Sequence, residues 1–251
     1  MNPYLTKLSR MEFVITYACT GRCRHCSEGD HPARGVHIDP ETAAEAVRQA
    51  ASAYPMGTIM TFGGEPMLYP EAVYAIHKAA AESGIPRRQL ITNGFFSRDA
   101  AKIREAAERL ADCGVNDLLL SADAFHQETI PLDIVKQFAE AVRGAGVPIR
   151  VQPAWLVSKD ADNPYNRRTR EILAEFAAME IRENDGNVIF PSGNALRYLA
   201  AYFDPAHPVS NPYEEDPRCP RTISVDPDGS VMGGNLYRQT MAEILASYAP
   251  A

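Results

Sequence analysis

Short apolar runs alternate with helical patterns along most of this chain, and that rhythm limits the folds open to it. Runs that read as strands end near residues 16, 62, 92, 121, 153 and 190. Between them, apolar residues recur at three- and four-residue spacing, as in Ile103, Ala106, Leu110 and Cys113. Asp39-Pro40-Glu41 reads as a helix start, with aspartate as the cap and proline in the first turn. Asp117-Leu-Leu-Leu-Ser121 is almost continuously apolar, as suits a parallel strand buried on both faces. Strands alternating with helices predict an α/β fold on a parallel sheet. Six such units predict an open, partial (β/α)6 barrel over residues 1–195, with residues 1–10 as a polar lead-in. In barrels of this kind the chemistry sits at the C-terminal ends of the strands.

After about residue 195 the rhythm changes. Residues 205–216 form a proline-rich loop. Thr222-Ile-Ser-Val225, Asp226-Pro-Asp-Gly229 and Ser230-Val-Met232 predict a hairpin. A last helix is expected over Tyr237–Ala246. Residues 196–251 therefore read as a small hairpin-plus-helix extension that closes the barrel by packing.

Composition narrows the function. The 251 residues carry a net charge of −7 and no basic stripe, which argues against a nucleic-acid partner. Arg167-Arg168-Thr-Arg170, the densest basic group, reads as a solvated helix face. No apolar run approaches the ~20 residues that span a bilayer, and the first ten residues have no apolar signal core. A cytoplasmic protein with no membrane partner is expected. Five cysteines, three of them clustered, do not read as a disulfide framework.

That cluster is Cys19-Thr-Gly-Arg-Cys23-Arg-His-Cys26, directly after the first strand. Its spacing brings three thiolates from one loop around one point, and such soft ligands select zinc or iron–sulfur. Either metal centre usually takes four protein ligands. The loop offers three and leaves a position open for a substrate or cofactor. A zinc knuckle completed by His25, His31 or His37 is the alternative. The next strand ends at Gly63-Gly64-Glu65-Pro66, where two glycines permit close backbone approach and Glu65 offers a carboxylate. Later strands end at Thr92-Asn93-Gly94, at Ser121-Ala-Asp123 and near Gln152.

Together these motifs resemble the radical S-adenosylmethionine (radical SAM) superfamily over about residues 11–195. The resemblance implies one [4Fe–4S] cluster on Cys19, Cys23 and Cys26, with S-adenosylmethionine chelating the fourth iron. It places Gly63, Gly64 and Glu65 at the methionine amine, Ser121 and Asp123 at the ribose and His25 near the adenine. Asn93 and Gln152 join them as cofactor-binding candidates. The implied activity is reductive cleavage of the cofactor to a 5′-deoxyadenosyl radical, which abstracts hydrogen from a peptide or small-molecule substrate. An electron donor such as flavodoxin or ferredoxin is implied as a partner. A glycyl-radical activase is a second reading, but activases carry Asp-x-Lys where this chain has Ser121-Ala-Asp123. A non-catalytic iron–sulfur or zinc protein is a third.

The tail resembles the SPASM or twitch extension of the same superfamily, which helps to hold an auxiliary cluster. Here Cys219 is present, but Gly233-Gly234 stands where a further cysteine is expected. Beyond the loop only Cys113 and Cys219 remain. Asp226, Asp228 and His207 could stand in as ligands, but read better as turn and loop residues. One cluster per chain is expected. Cys219 reads as an inert remnant or as a thiol hydrogen donor to a substrate radical.

Overall fold

The computed structural model describes every residue except Met1, Pro205, His207, Pro208 and Ala251; the possible ligand His207 thus lies outside the described residues. Four βα units and a fifth strand come first. They are β1 (Arg10–Val14), α1 (Pro40–Ala53), β2 (Thr58–Phe62), α2 (Pro70–Glu82), β3 (Arg87–Thr92), α3 (Ala100–Asp112), β4 (Asp117–Leu120), α4 (Leu132–Gly144) and β5 (Ile149–Val151). Then follow β6 (Ala154–Trp155), α5 (Pro164–Ala178), β7 (Asn187–Val188), α6 (Gly193–Tyr198), β8 (Thr222–Val225), β9 (Ser230–Val231), β10 (Gly234–Asn235) and α7 (Met241–Ser247). The helix starts follow the sequence: Asp39 caps α1, Asp99 caps α3, and Thr240 with Glu243 forms a capping box on α7.

The main sheet has six parallel strands in the order β5-β4-β3-β2-β1-β8. Its register separates two faces. Met11, Phe13, Ile59, Leu90, Leu118, Leu120, Val151, Ile223 and Val225 are fully buried in the main core. Each such side chain contributes about 1.5–3 kcal/mol. The alternate residues Glu12, Met60, Gln89, Leu119 and Arg150 form the other, inner face.

Two expectations need correction. The sixth strand of the sheet is not Asn187–Phe190. In that stretch β7 pairs only with β6, in a separate two-stranded sheet. It stays near β5 through a bridge between Val151 and Glu183. Arg182, Glu183 and Asp185 are charged and exposed, so no apolar row continues the sheet there. The sixth strand is instead β8, from the tail, paired in parallel with β1. The tail's hairpin is also shifted. β8 leaves β9 to pair with β1, and β9 pairs antiparallel with β10. Met232 (φ 47) and Gly233 (φ 80) make its two-residue turn, the left-handed pair that a tight hairpin requires. The lead-in is anchored as well: Leu5 and Leu8 are buried, and the Asn2 side chain donates to the carbonyls of Leu245 and Tyr248. Arg167, Arg168 and Arg170 lie exposed on α5, as expected. Among the described residues no helix is long and apolar enough to cross a membrane.

Candidate active site

The cysteine loop leaves β1 while still zipped to the exit of β2. Gly64 N–H donates to Thr16 O (2.8 Å) and Glu65 N–H to Ala18 O (2.8 Å). A Cβ on Gly64 would lie 2.2 Å from Ala18 O, and one on Gly63 (φ +136) would lie 2.6 Å from Thr16 O. The two glycines therefore let the loops after β1 and β2 touch, and both also border a cavity of ≈ 260 Å³ at the C-terminal ends of the strands.

Cys19, Cys23 and Cys26 line that cavity together. Gly21 keeps the loop open between two of them, since a Cβ there would sit 3.2 Å from Cys23 Sγ and 3.7 Å from Cys19 Sγ. Gly21 N–H (3.3 Å) and Asn93 Nδ2 (3.6 Å) donate to Cys19 Sγ. His31 Nε2 lies 3.0 Å from Cys26 Sγ, while its Nδ1–H donates to Tyr17 O (2.7 Å). From across the loop, Asn194 donates to the carbonyls of Cys26 and Cys23, and Ser192 donates to that of Ser27. Burial pushes the Cys19 thiol up to about 11 and raises those of Cys23 and Cys26. The thiols stay protonated until a cation displaces the protons. Three thiols on one cavity wall, spaced by a glycine, fit an iron–sulfur cluster, which Cys19, Cys23 and Cys26 would hold.

Glu65 does not reach this cavity. It is fully buried, and its carboxylate accepts from Thr92 Oγ1 (2.6 Å), Asn93 N–H (2.8 Å) and Met67 N–H (2.9 Å). Burial pushes it up to about 7 against the pull of those three donors. Its charge is still felt at the Cys19 thiol, which it helps to raise. Glu65 holds Asn93, and Asn93 reaches the Cys19 sulfur. Ser121, Asp123 and Gln152 border the cavity, and Gln152 Oε1 accepts from Asn184.

Asp123 is also fully buried. Its Oδ1 accepts from the N–H groups of Phe125 (2.9 Å) and His126 (3.0 Å). Its Oδ2 faces His126 Nδ1 (2.9 Å) and accepts from Ala154 N–H (3.0 Å). Burial alone would raise this carboxyl, but His126 and the backbone donors hold it well below the usual range. His25 packs against Phe125 and His126, at ring distances of 4.9 and 4.8 Å. Burial lowers His25 to about 4, and its Nδ1 has no partner. Cys23, His25 and His126 place ligand atoms within 4.8 Å of one another, a mixed set that could hold a single metal ion.

Cys219 precedes the N-terminal end of β8, whose neighbour Arg221 O accepts from Ser9 and Arg10 N–H at the start of β1. The cavity opens at the other end of the sheet and Cys219 does not line it, so the hydrogen-donor role lacks the closeness it needs. Cys113 is buried at the end of α3, with its thiol donating to Leu110 O (3.3 Å). Sequence reasoning offers His31 only as a possible zinc ligand and does not single out His126 or Asn194 as site residues. His126 follows Asp123 by three residues, and His31 follows the last loop cysteine by five; these short offsets were the available signal.

The model of the radical SAM superfamily matches residues 13–151. The chain belongs to that superfamily. It is therefore an enzyme, and the radical SAM cofactors are a [4Fe–4S] cluster and S-adenosylmethionine. A GTP 3′,8-cyclase of Aeromonas hydrophila is 30% identical over 144 residues, which are 51% of this chain and 40% of that enzyme. A GTP 3′,8-cyclase of Geobacter sulfurreducens is 26% identical over 125 residues, which are 49% of this chain and 36% of that enzyme. The chain thus matches well under half the length of these curated relatives. Among solved structures, anSMEcpe with AdoMet bound superposes with a TM-score of 0.60 at 16% identity, covering 95% of this chain and 80% of that one. Streptococcus suis SuiB bound to its precursor peptide SuiA gives 0.57 at 12% identity, covering 96% and 65%. These two likenesses concern the radical SAM fold.

Proposed function

We propose that this radical SAM enzyme cleaves S-adenosylmethionine reductively and abstracts hydrogen from a peptide or small-molecule substrate. The observation that carries the reading is the single cavity shared by Cys19, Cys23 and Cys26 and by the polar strand ends at Asn93, Ser121 and Gln152. The three cysteines would hold the cluster. When bound, the cofactor pair supplies a 5′-deoxyadenosyl radical that takes hydrogen from a substrate C–H bond. The chain's own part is to hold the thiols, orient the cofactor and wall off water. Gly63 and Gly64 offer backbone to the methionine end, Ser121 and Gln152 offer polar side chains deeper in, and His25 offers a buried ring. Phe190 and Tyr213, 6.3 Å apart, form part of the cavity wall.

The lining contains no lysine or arginine among the described residues. That favours an uncharged peptide or metabolite over a triphosphate. The chemistry needs a low-potential donor of the flavodoxin or ferredoxin kind and suits a reducing compartment such as the cytoplasm. We assign residues 1–195 to the radical SAM barrel and 196–251 to a SPASM- or twitch-like extension without an auxiliary cluster, which lends β8 to the barrel's sheet.

Anaerobic reconstitution tests the reading. The wild type should take up one [4Fe–4S] cluster, its EPR spectrum should change on adding S-adenosylmethionine, and dithionite should drive release of 5′-deoxyadenosine. The Cys19/Cys23/Cys26 triple-Ala variant should hold no iron. A colourless protein holding zinc, with no cofactor cleavage, would instead favour the Cys23–His25–His126 set. Residual iron–sulfur absorbance in the triple variant would disprove the single-cluster assignment.

A further inference from the structure

The strand end after β3 fixes a hydrogen-bond donor against the cysteine loop. Asn93 is 5% exposed and is held from two sides. Its backbone N–H donates to Glu65 Oε2 (2.8 Å), and Glu65 is itself pinned by Thr92 and Met67. Its side-chain Oδ1 accepts from Phe95 N–H (2.8 Å), which settles the orientation of the amide. Nδ2 therefore faces the other way, toward Thr20 Oγ1 (3.1 Å) and Cys19 Sγ (3.6 Å). That nitrogen carries two protons, so it serves both partners. A carboxamide does not ionise near neutral pH, so the donor is present whatever the charge of its neighbours. Gly21 N–H gives the same sulfur a second donor (3.3 Å). Among the described residues no other side-chain amide donates to the three loop sulfurs.

A donor aimed at a cluster thiolate bears on the entry of the electron. Reduction moves one electron from the low-potential donor protein into the cluster, whose core and thiolates together become one unit more negative. An N–H that points at one of those sulfurs stabilises the reduced state more than the oxidised one. Hydrogen bonds to the sulfurs are accordingly among the factors that set such potentials. We propose that Asn93 is a positioning residue for electron transfer, its amide raising the reduction potential of the bound cluster through Cys19 Sγ. This rests on the function proposed above. The higher that potential, the larger the share of clusters that a donor of the flavodoxin or ferredoxin kind reduces. The buried Glu65 then has a task without touching the cavity, since it holds the strand end from which the amide is aimed.

EPR-monitored potentiometry on the anaerobically reconstituted protein, with no S-adenosylmethionine added, tests this without turnover. Asn93→Leu keeps the size of the side chain and removes the donor. It should lower the midpoint potential, shifting the reduction equilibrium about tenfold, or about 59 mV for one electron. The Fe–S(Cys) stretch in the resonance Raman spectrum should rise, because the sulfur no longer shares its electrons with that N–H. Asn93→Ala should move both readouts the same way, and it guards against a leucine that does not fit. Both variants should take up a cluster and lose it to a chelator sooner than wild type. An unchanged or raised potential would overturn the assignment. A lowered potential with an unmoved stretch would overturn it too, since water reaching the cluster would then be the cause. Failure of both variants to take up iron would make Asn93 a builder of the loop and overturn it as well. A wild type that takes up no [4Fe–4S] cluster would sink the function reading itself; a loaded wild type with indifferent Asn93 variants would sink only this one.

Discussion

Two carboxylates stand at opposite ends of β3 and have opposite surroundings. Glu65, at the C-terminal end, has no cation beside it and is held by Thr92, Asn93 and Met67. Asp117, near the N-terminal end, accepts from Arg87, Arg150 and Gln89. Burial raises both, but at Asp117 the two guanidiniums win and its pKa falls below the ordinary value. The floor of the inner face is thus closed with paired charge around Asp117, whereas the Glu65 corner of the mouth is built from neutral donors.

The largest effect is expected where the two loops touch at the mouth. Gly64→Ala puts a methyl group 2.2 Å from Ala18 O, with only backbone available to move. It should cost about 4 kcal/mol and abolish cluster uptake, read by denaturant midpoint and iron content. Full stability in that variant would refute the close approach. Glu65→Ala comes next. It strands buried donors on Thr92, Asn93 and Met67, costs about 3 kcal/mol and lowers iron retention by releasing Asn93 from Cys19. Asp117→Ala should cost only about 1 kcal/mol, because Arg87 and Arg150 are half exposed and water can replace the partner. Its iron content should equal that of wild type. If Asp117→Ala loses iron as Glu65→Ala does, the contrast between mouth and floor fails.

The smallest effects are slopes of stability against pH, measured on the metal-free protein. Glu65 is raised in the fold, so its contribution is present below its ordinary value of 4.5 and is lost as pH rises through about 7. Asp117 is lowered, so its contribution is present above 3.8 and is lost only as pH falls through its folded value. Glu65→Gln should flatten the neutral limb and Asp117→Asn the acid limb. His77, buried against Thr61 and lowered by burial to about 3, works against Glu65. Unfolded His77 takes up a proton as pH falls below 6.5, so its share of stability is lost in that direction. His77→Gln should therefore steepen the downward slope from pH 5 to 7, and the pair of variants separates the two groups.

Much of this was legible in the sequence because periodicity is local. The helices appear where caps and apolar spacing put them, except the last, which was expected from Tyr237 and starts at Met241 behind the Thr240 cap, and the three cysteines converge because they share one loop. The long-range choices were less visible. Thr222–Val225 has the same alternation whether it pairs with the next strand or with β1, and only β1's free edge decides it. Glu65 and Asp123 sit at the expected strand ends, yet both are taken up by protein donors from elsewhere in the chain. No spacing rule reports that. Nor could the sequence aim Asn93, since its contact with Cys19 depends on how Glu65 and Phe95 hold it.

The pairing of β8 with β1 also orders events during synthesis. Arg10 and Thr222 are register partners far apart in the sequence. Until the ribosome has delivered Val225, the outer edge of β1 stays open, and Met11 and Phe13 lack the cover of Ile223 and Val225. Long-range pairing of this kind is slow, and an open edge invites pairing with other chains. A chain truncated before residue 222 should keep the motifs of its chemistry yet accumulate in aggregates, released only when the last strand is supplied.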